Sequence, residues 1–424
     1  MIKRVVYIIF LFIALSFQVF ANKQIVQLSD SSEISLLTIT PSSEAIYTLF
    51  GHTAIRVKDD SKSMDEVFNY GLFDFNAPNF IYRFIKGETD YKVGKIPFKY
   101  FIFEYEVRGV GVIEQILNLT PEDKQKVWEA LITNTRPENA IYRYSFVYDN
   151  CATRPRDIVE NNISEKIIYT PTDKEQTFRD LFHECLLYTP WSRFGIDLII
   201  GSDADKPVTD REKEFLPRYL QNSFENAHIE AMQGGTISYK ELVKETSFIL
   251  QPTDSMSIVL FGAAYGNSSD DKPLPPDYPL MTGCTLLALV LLISFLSYKK
   301  NKIILGTIFD TLLFFIAGLA GCIIFFLMFF SEHPCVDANW NIVWLNPLQL
   351  IAACLFFVKP LRRCIYYYHF INFVALLLLI VAWCLIPQQL EVAFIPYILA
   401  LAVRSGTNIL QQIKNRHRYA FGNE

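Results

Sequence analysis

Between residues 22 and 279 the chain carries two cysteines and three histidines: Cys151, Cys185, His52, His183 and His228. Cys151 sits in RYSFVYDNCATRPRD, after a strand-like run and the capping residues Asp149 and Asn150, and ahead of a short helical pattern through Ile158 and Val159. A cysteine at a helix entry has its thiolate favoured by the helix dipole and by free backbone N–H groups. Arg154 and Arg156 add positive charge there and are candidate substrate contacts. Pro155 cannot donate a helical hydrogen bond, so the helix is expected to begin near Thr153. Cys185 has a plainer reading: Phe178, Leu181, Phe182, Cys185 and Leu186 repeat at helical spacing after a Thr172/Glu175 capping box, so Cys185 is expected in a core. His183 falls on the opposite face, expected to be solvated, and is a poor metal or catalytic candidate.

A cysteine nucleophile needs a base within hydrogen-bond reach. His52, in GHTAIRV, is the histidine that follows a glycine in a strand-like setting, where its ring can be presented to a neighbouring layer. A strand histidine is equally an ordinary satisfied side chain, and a cysteine can be structural, so both readings stand at this point.

The elements that must position these residues are legible in outline. Residues 46–57, 67–75 and 110–119 read as strands, and a helix is expected from Thr120, with Pro121 at its first position and Val127, Trp128 and Leu131 inward. Strands interleaved with helices imply an α+β layer fold. The two cysteines are too few for a disulfide framework.

Charge divides the chain. Residues 22–279 hold 27 basic and 39 acidic side chains, whereas 280–424 hold ten basic and five acidic. The formal −5 is therefore +2 in residues 1–21, −12 in an acidic, soluble-looking part and +5 in a part with membrane-protein composition, which argues against both disorder and nucleic-acid binding. Residues 1–21 have the form of a signal peptide, with an uncleaved anchor as the alternative; either one exports the region that begins at residue 22. Residues 22–267 are then the exported domain, 268–279 (SSDDKPLPPDYP) a Pro-rich linker, and 280–424 a five-helix membrane domain with spans near 280–298, 303–330, 342–358, 365–386 and 392–411. Lys299, Lys300, Lys302, Lys359, Arg362, Arg363 and the tail residues Lys414, Arg416 and Arg418 place the odd loops and the C-terminus in the cytoplasm. Asp310 and Arg404, each about two turns from a cytoplasmic helix end, are expected to pair across the bundle. His333, Asn339 and Asn341 in the second loop lie at the outer face, available to lipid headgroups or the exported domain, or to helix capping.

The order of YTLFGHTAIRV, VFNYGLFDFNAPNF, YDNCATRPRD, PWSRFGIDLIIGSDADKP and FLPRYL, continuing to HPCVDANWNIVWLNPLQL, resembles the Lnb family of Bacteroidota over most of the chain. An early Gly-His on a strand and a late Asn-Cys at a helix start are also similar to the circularly permuted papain-like fold of lecithin:retinol acyltransferase and NlpC-type enzymes. The resemblance implies a permuted papain-like α+β domain in the periplasm, fixed to the inner membrane by an all-α five-helix domain. It also implies lipoprotein N-acyltransfer, with a membrane phospholipid as donor and a diacylglyceryl-cysteine lipoprotein as acceptor. Cys151 would carry the acyl group as a thioester and His52 would be the base. Papain-like sites orient the histidine with a third polar group; Asn69 and Tyr70 point to opposite strand faces, so one at most serves, and Asn69 is preferred. His333 and Asn341 would be further substrate contacts. No cofactor, nucleotide or metal is called for. A membrane-bound cysteine hydrolase (cell-wall amidase, peptidase or phospholipase) and a non-catalytic envelope binding module are the rival readings.

Overall fold

The computed structural model describes residues 25–172, 174–233, 236–265, 273–300 and 302–421. The expected signal peptide (1–21) lies outside the described residues, as does the linker from 268 to 272.

The N-terminal part is built on an antiparallel sheet of seven strands in the order β10-β5-β1-β2-β3-β4-β6. These are β1 Glu33–Ile39, β2 His52–Asp59, β3 Met64–Leu72, β4 Asp90–Pro97, β5 Val112–Leu117, β6 Ile141–Arg143 and β10 Val243–Leu250, while β7 Lys166–Ile168, β8 His228–Gln233 and β9 Thr236–Glu241 form a second, three-stranded sheet. Helices α1 to α9 are Phe80–Lys86, Phe98–Val107, Pro121–Asn134, Thr153–Asn162, Phe178–Cys185, Pro190–Ile199, Asp210–Lys213, Pro217–Glu225 and Ser255–Tyr265.

β1 is buried at every residue after Glu33, as a strand covered on both faces must be. Ile34, Leu36, Ile55, Val57 and Phe68 pack with Trp128 and Leu131 of α3 and with Val159 of α4 on one face. Leu37, Ile39, Ala54 and Val67 pack with Phe101 and Tyr105 of α2 on the other. Alternation thus sends successive residues of β3 to opposite layers.

The helix after Thr120 forms as its sequence predicts: the Thr120 side chain accepts from the Asp123 N–H at 3.1 Å, and Val127, Trp128 and Leu131 are buried. Two expectations are corrected. The first half of 46–57 is a 3₁₀ turn, Ile46–Phe50, and the strand starts at His52 after Gly51, whose φ of 78° breaks the extended run. The capping box of α5 is Thr177/Asp180 rather than Thr172/Glu175, because Thr172 is taken by Asp210.

Four long apolar helices come next: α10 Tyr278–Lys299, α11 Ile303–Phe330, α13 Arg362–Val381 and α14 Ile395–Phe421. The stretch expected to be the third span differs. It is a 3₁₀ turn, Trp340–Val343, followed by a nine-residue helix, α12 Pro347–Leu355, which rises only about 14 Å and is too short to cross alone. It lies tightly along α11, where a Cβ on Gly318 would sit 2.2 Å from the Leu350 nitrogen and one on Gly321 2.5 Å from Asn346. Small residues allow such an approach between membrane helices.

Asp310 of α11 and Arg404 of α14 pair as the sequence predicts, through Nε–Oδ1 at 2.5 Å and Nη2–Oδ2 at 2.9 Å, with Ser294 on Nη1 and Asn408 on the carboxylate. Removing one member strands a buried charge, worth about 3–5 kcal/mol. Arg404→Leu is therefore expected to lower the thermal unfolding midpoint in detergent sharply, and Asp310→Leu added to it to restore most of the loss.

Candidate active site

Three elements converge at one end of the sheet. His52 opens β2, Asn69 lies on β3 just before the register shift that ends it, and Cys151 precedes α4. Alternation puts His52 and Asn69 on the same face, and they meet there: the His52 Nε2 lies 2.6 Å from Asn69 Oδ1. With the amide oxygen as acceptor, Nε2 carries the proton. Tyr70 points the other way into the core, where Asn134 donates to its hydroxyl at 3.1 Å. Of the two alternatives on β3, Asn69 is the one in contact with the histidine.

Cys151 sits in the turn before α4, which starts at Thr153, the position that Pro155 predicts. Asn150 fixes this turn. Its Oδ1 accepts from the Ala152 and Thr153 N–H groups at 2.8 and 3.0 Å, and its Nδ2 donates to the carbonyls of Phe146 and Phe215. The thiol is 8% exposed and His52 is partly exposed. Burial pushes the Cys151 thiol up, but the charge and hydrogen bond of His52, with the backbone N–H groups of Thr53 and Cys151, outweigh it and hold the thiol below its ordinary value. Burial likewise disfavours imidazolium, yet the Cys151 thiolate, helped by the Asn69 bond, leaves His52 raised. The two shifts share a cause that opposes burial: each side chain favours the charged form of the other. Cys185 is the contrast: without such a partner, burial pushes its thiol up to about 12.

Tyr144 was not singled out by sequence. Its ring lies with the Cys151 side chain against Gly71, and burial first and the charge of Cys151 second push its phenol up. Its place seven residues before Cys151, at the end of the strand-like run, was the signal available.

The remaining candidates are placed elsewhere. Arg154 is held by Asp149 at 2.6 and 2.7 Å and lies over the Tyr142 ring at 3.5 Å. Arg156 is buried and bonded to Asp157, Glu214 and the Arg211 carbonyl. Both tie down α4 rather than face the thiol. The His333 Nε2 donates to the Phe84 carbonyl at 2.6 Å. Asn341 is fully buried, donating to the carbonyls of Asp197 and Leu198 and accepting from the Trp344 indole. These two join the outer loop to the N-terminal part.

His183 is half-buried and paired rather than simply solvated: it lies 2.9 Å from both Asp197 oxygens, and His183, Asp197 and Glu391 bring three ligand-type atoms within 4.8 Å of one another. Arg179 already binds Asp197 at 2.6 Å and Arg193 binds Glu391 at 2.8 Å, so a metal cation would meet two guanidiniums. The donor set is that of an ion-pair network.

An α+β domain bearing a polarised Cys–His–Asn site, joined to a helical membrane domain, is the class these features define. The model of the Lnb N-terminal periplasmic domain matches residues 22–184, and that of the Lnb transmembrane domain matches residues 274–416. The chain belongs to the Lnb family, and its N-terminal domain is periplasmic. Neither the curated proteins nor the solved structures yield a match.

Replacing His52 by Gln removes the cation that depresses the thiol. Cys151 should then return toward the ordinary thiol range, so its alkylation by iodoacetamide at pH 7 slows and the pH midpoint moves upward. Peptide mass mapping of alkylation between pH 5 and 10 checks this; an unmoved midpoint would rule the pair out.

Proposed function

We propose that this protein is a lipoprotein N-acyltransferase of the inner membrane, working through a Cys151 thioester. The observation that carries the reading is the Cys151–His52–Asn69 contact, in a domain tied to the outer ends of membrane helices. In this reading the domain is a permuted papain-like fold, with its histidine strand preceding its cysteine helix. The broken segment from Trp340 to Leu361 makes a fifth crossing, which the basic residues at 359–363 require if 331–341 is outside.

The Cys151 thiolate attacks an ester carbonyl of a membrane phospholipid. The tetrahedral oxyanion forms beside the Cys151 and Thr53 N–H groups, which are free to turn to it once the sulfur is no longer charged. Collapse breaks the C–O bond, and the His52 imidazolium gives its proton to the departing lysophospholipid. The α-amino group of a diacylglyceryl-cysteine then attacks the thioester, neutral His52 takes the amine proton, and the thiolate leaves. Asn69 holds the imidazole ring throughout. Thioester aminolysis to an amide is downhill, so no nucleotide enters the balance.

Mass spectrometry of a lipoprotein N-terminus tests the reading in cells that have no other N-acyltransferase. Cys151→Ala should leave the lipoprotein diacylated, and His52→Gln should slow acylation about 10²–10⁴-fold. A third acyl chain persisting in Cys151→Ala would defeat the proposal. Free fatty acid as the acyl product would identify a hydrolase, and no acyl adduct on Cys151 a binding module.

A further inference from the structure

None of the seven residues of α1 is buried. Ile81 is 73% exposed and Tyr82 56%, with Phe84 and Ile85 also exposed and Phe75, in the loop before the helix, 66% exposed. Arg83 and Lys86 are drawn aside to Asp90 and Glu88. Large apolar side chains clustered in this way mark a contact surface.

The place at which α1 is held identifies what covers them. The Tyr82 ring lies 6.2 Å from Phe326, one turn before the end of α11. Immediately beyond that end, the Ser331 hydroxyl donates to the Ile85 carbonyl, the Glu332 N–H to the Lys86 carbonyl, and His333 to the Phe84 carbonyl. α1 is thus pinned at the outer end of a membrane-spanning helix, whose own Phe329 and Phe330 are exposed at the same level. The lipid-facing surface of α11 runs on into α1. An amphipathic helix at this depth lies in the bilayer interface.

From α1 a row of rings leads inward. Phe80 stacks on Phe84 at 5.9 Å and on Phe73 at 5.8 Å, Phe73 meets Tyr91 at 5.1 Å, and Tyr91 stacks on Tyr144 at 4.1 Å. The Tyr144 ring and the Cys151 side chain close on one point, where a Cβ on Gly71 would lie 3.7 Å from Tyr144 Cε2 and 3.6 Å from Cys151 Cβ. Phe75 meets Phe73 at 4.7 Å from the exposed side.

We propose that α1 and the loop before it lie in the outer leaflet, and that this row of rings is the path by which one acyl chain of a membrane lipid reaches Cys151. The path takes its chemistry from the acyltransfer reading, but its geometry stands apart from it.

The full chain in phosphatidylethanolamine/phosphatidylglycerol vesicles provides the test, in two arms. In a Cys151→Ala background, p-benzoyl-phenylalanine at position 75 or 85 should capture phospholipid on irradiation, and at exposed Tyr239 it should not. Absence of a lipid adduct at 75 overturns the path whatever happens at 85. With Cys151 intact, Ile81→Glu/Ile85→Glu should form the Cys151 acyl adduct at least tenfold more slowly from vesicle lipid, while iodoacetamide alkylates Cys151 at the unchanged rate. A double variant acylated at the original rate also overturns the path. No adduct on the unsubstituted protein would instead sink the acyltransfer reading, with the crosslinks still deciding the path.

Discussion

The carbonyl groups at the C-terminal end of α6 need donors, and the membrane domain supplies them. Any helix leaves its last carbonyls without internal partners. Here Asn341 serves Asp197 and Leu198, Asn339 also serves Leu198, and Gln388 serves Ile200. The next residue, Gly201, donates to the Cys335 carbonyl at 2.8 Å, and a Cβ there would lie 1.8 Å from the Asp337 carbonyl oxygen, so the loop seats only against glycine. Under this cap Arg179, wholly buried, binds Asp197 and Asp205 and neutralises what the amides do not. The three amides cross from the membrane domain to the end of α6, while the guanidinium braces that end from within its own domain.

That junction gives the site its location. Phe194 of α6 packs on Phe394 and Tyr397 at the outer end of the membrane helices, while α1 rests on α11 on another side. Two separate attachments remove the freedom to tilt that a single tether leaves. The proposed acyl transfer would gain from this, because the search of Cys151 for a lipid carbonyl would be confined to one depth and one facing.

How far the sequence revealed all this depends on the kind of interaction. Cys151, His52 and Asn69 were legible because each is set by local grammar: a cap before a helix, a glycine before a strand, alternation along β3. Thr120, Pro121 and the inward residues of α3 were legible for the same reason, and Asp310 and Arg404 because a charge in an apolar run demands a partner. Arg154, Arg156, His333 and Asn341 sit in equally suggestive strings, yet their partners (Asp149, Glu214, the Phe84 carbonyl, the end of α6) are set by tertiary packing. A polar residue near a reactive one in sequence reads the same whether it faces substrate or holds the scaffold. The third apolar stretch was legible in composition but not in shape: hydropathy reports what tolerates lipid but not where backbone hydrogen bonds run, and Asn346-Pro347 divides that stretch into a 3₁₀ turn and a nine-residue helix.

The cap on α6 also sets an order in time. Asn341 lies 144 residues after Asp197, and Gln388 lies 188 after Ile200. Synthesis runs from the N-terminus, so the periplasmic domain is made and exported while the amides that complete α6 are still to be translated. Until the loop bearing Asn339 and Asn341 arrives, the Asp197 and Leu198 carbonyls have none of their amide partners, and the Ile200 carbonyl waits longer, for Gln388. A polypeptide stalled or cut before residue 339 would therefore carry Cys151, His52 and Asn69 and still lack every amide that caps α6.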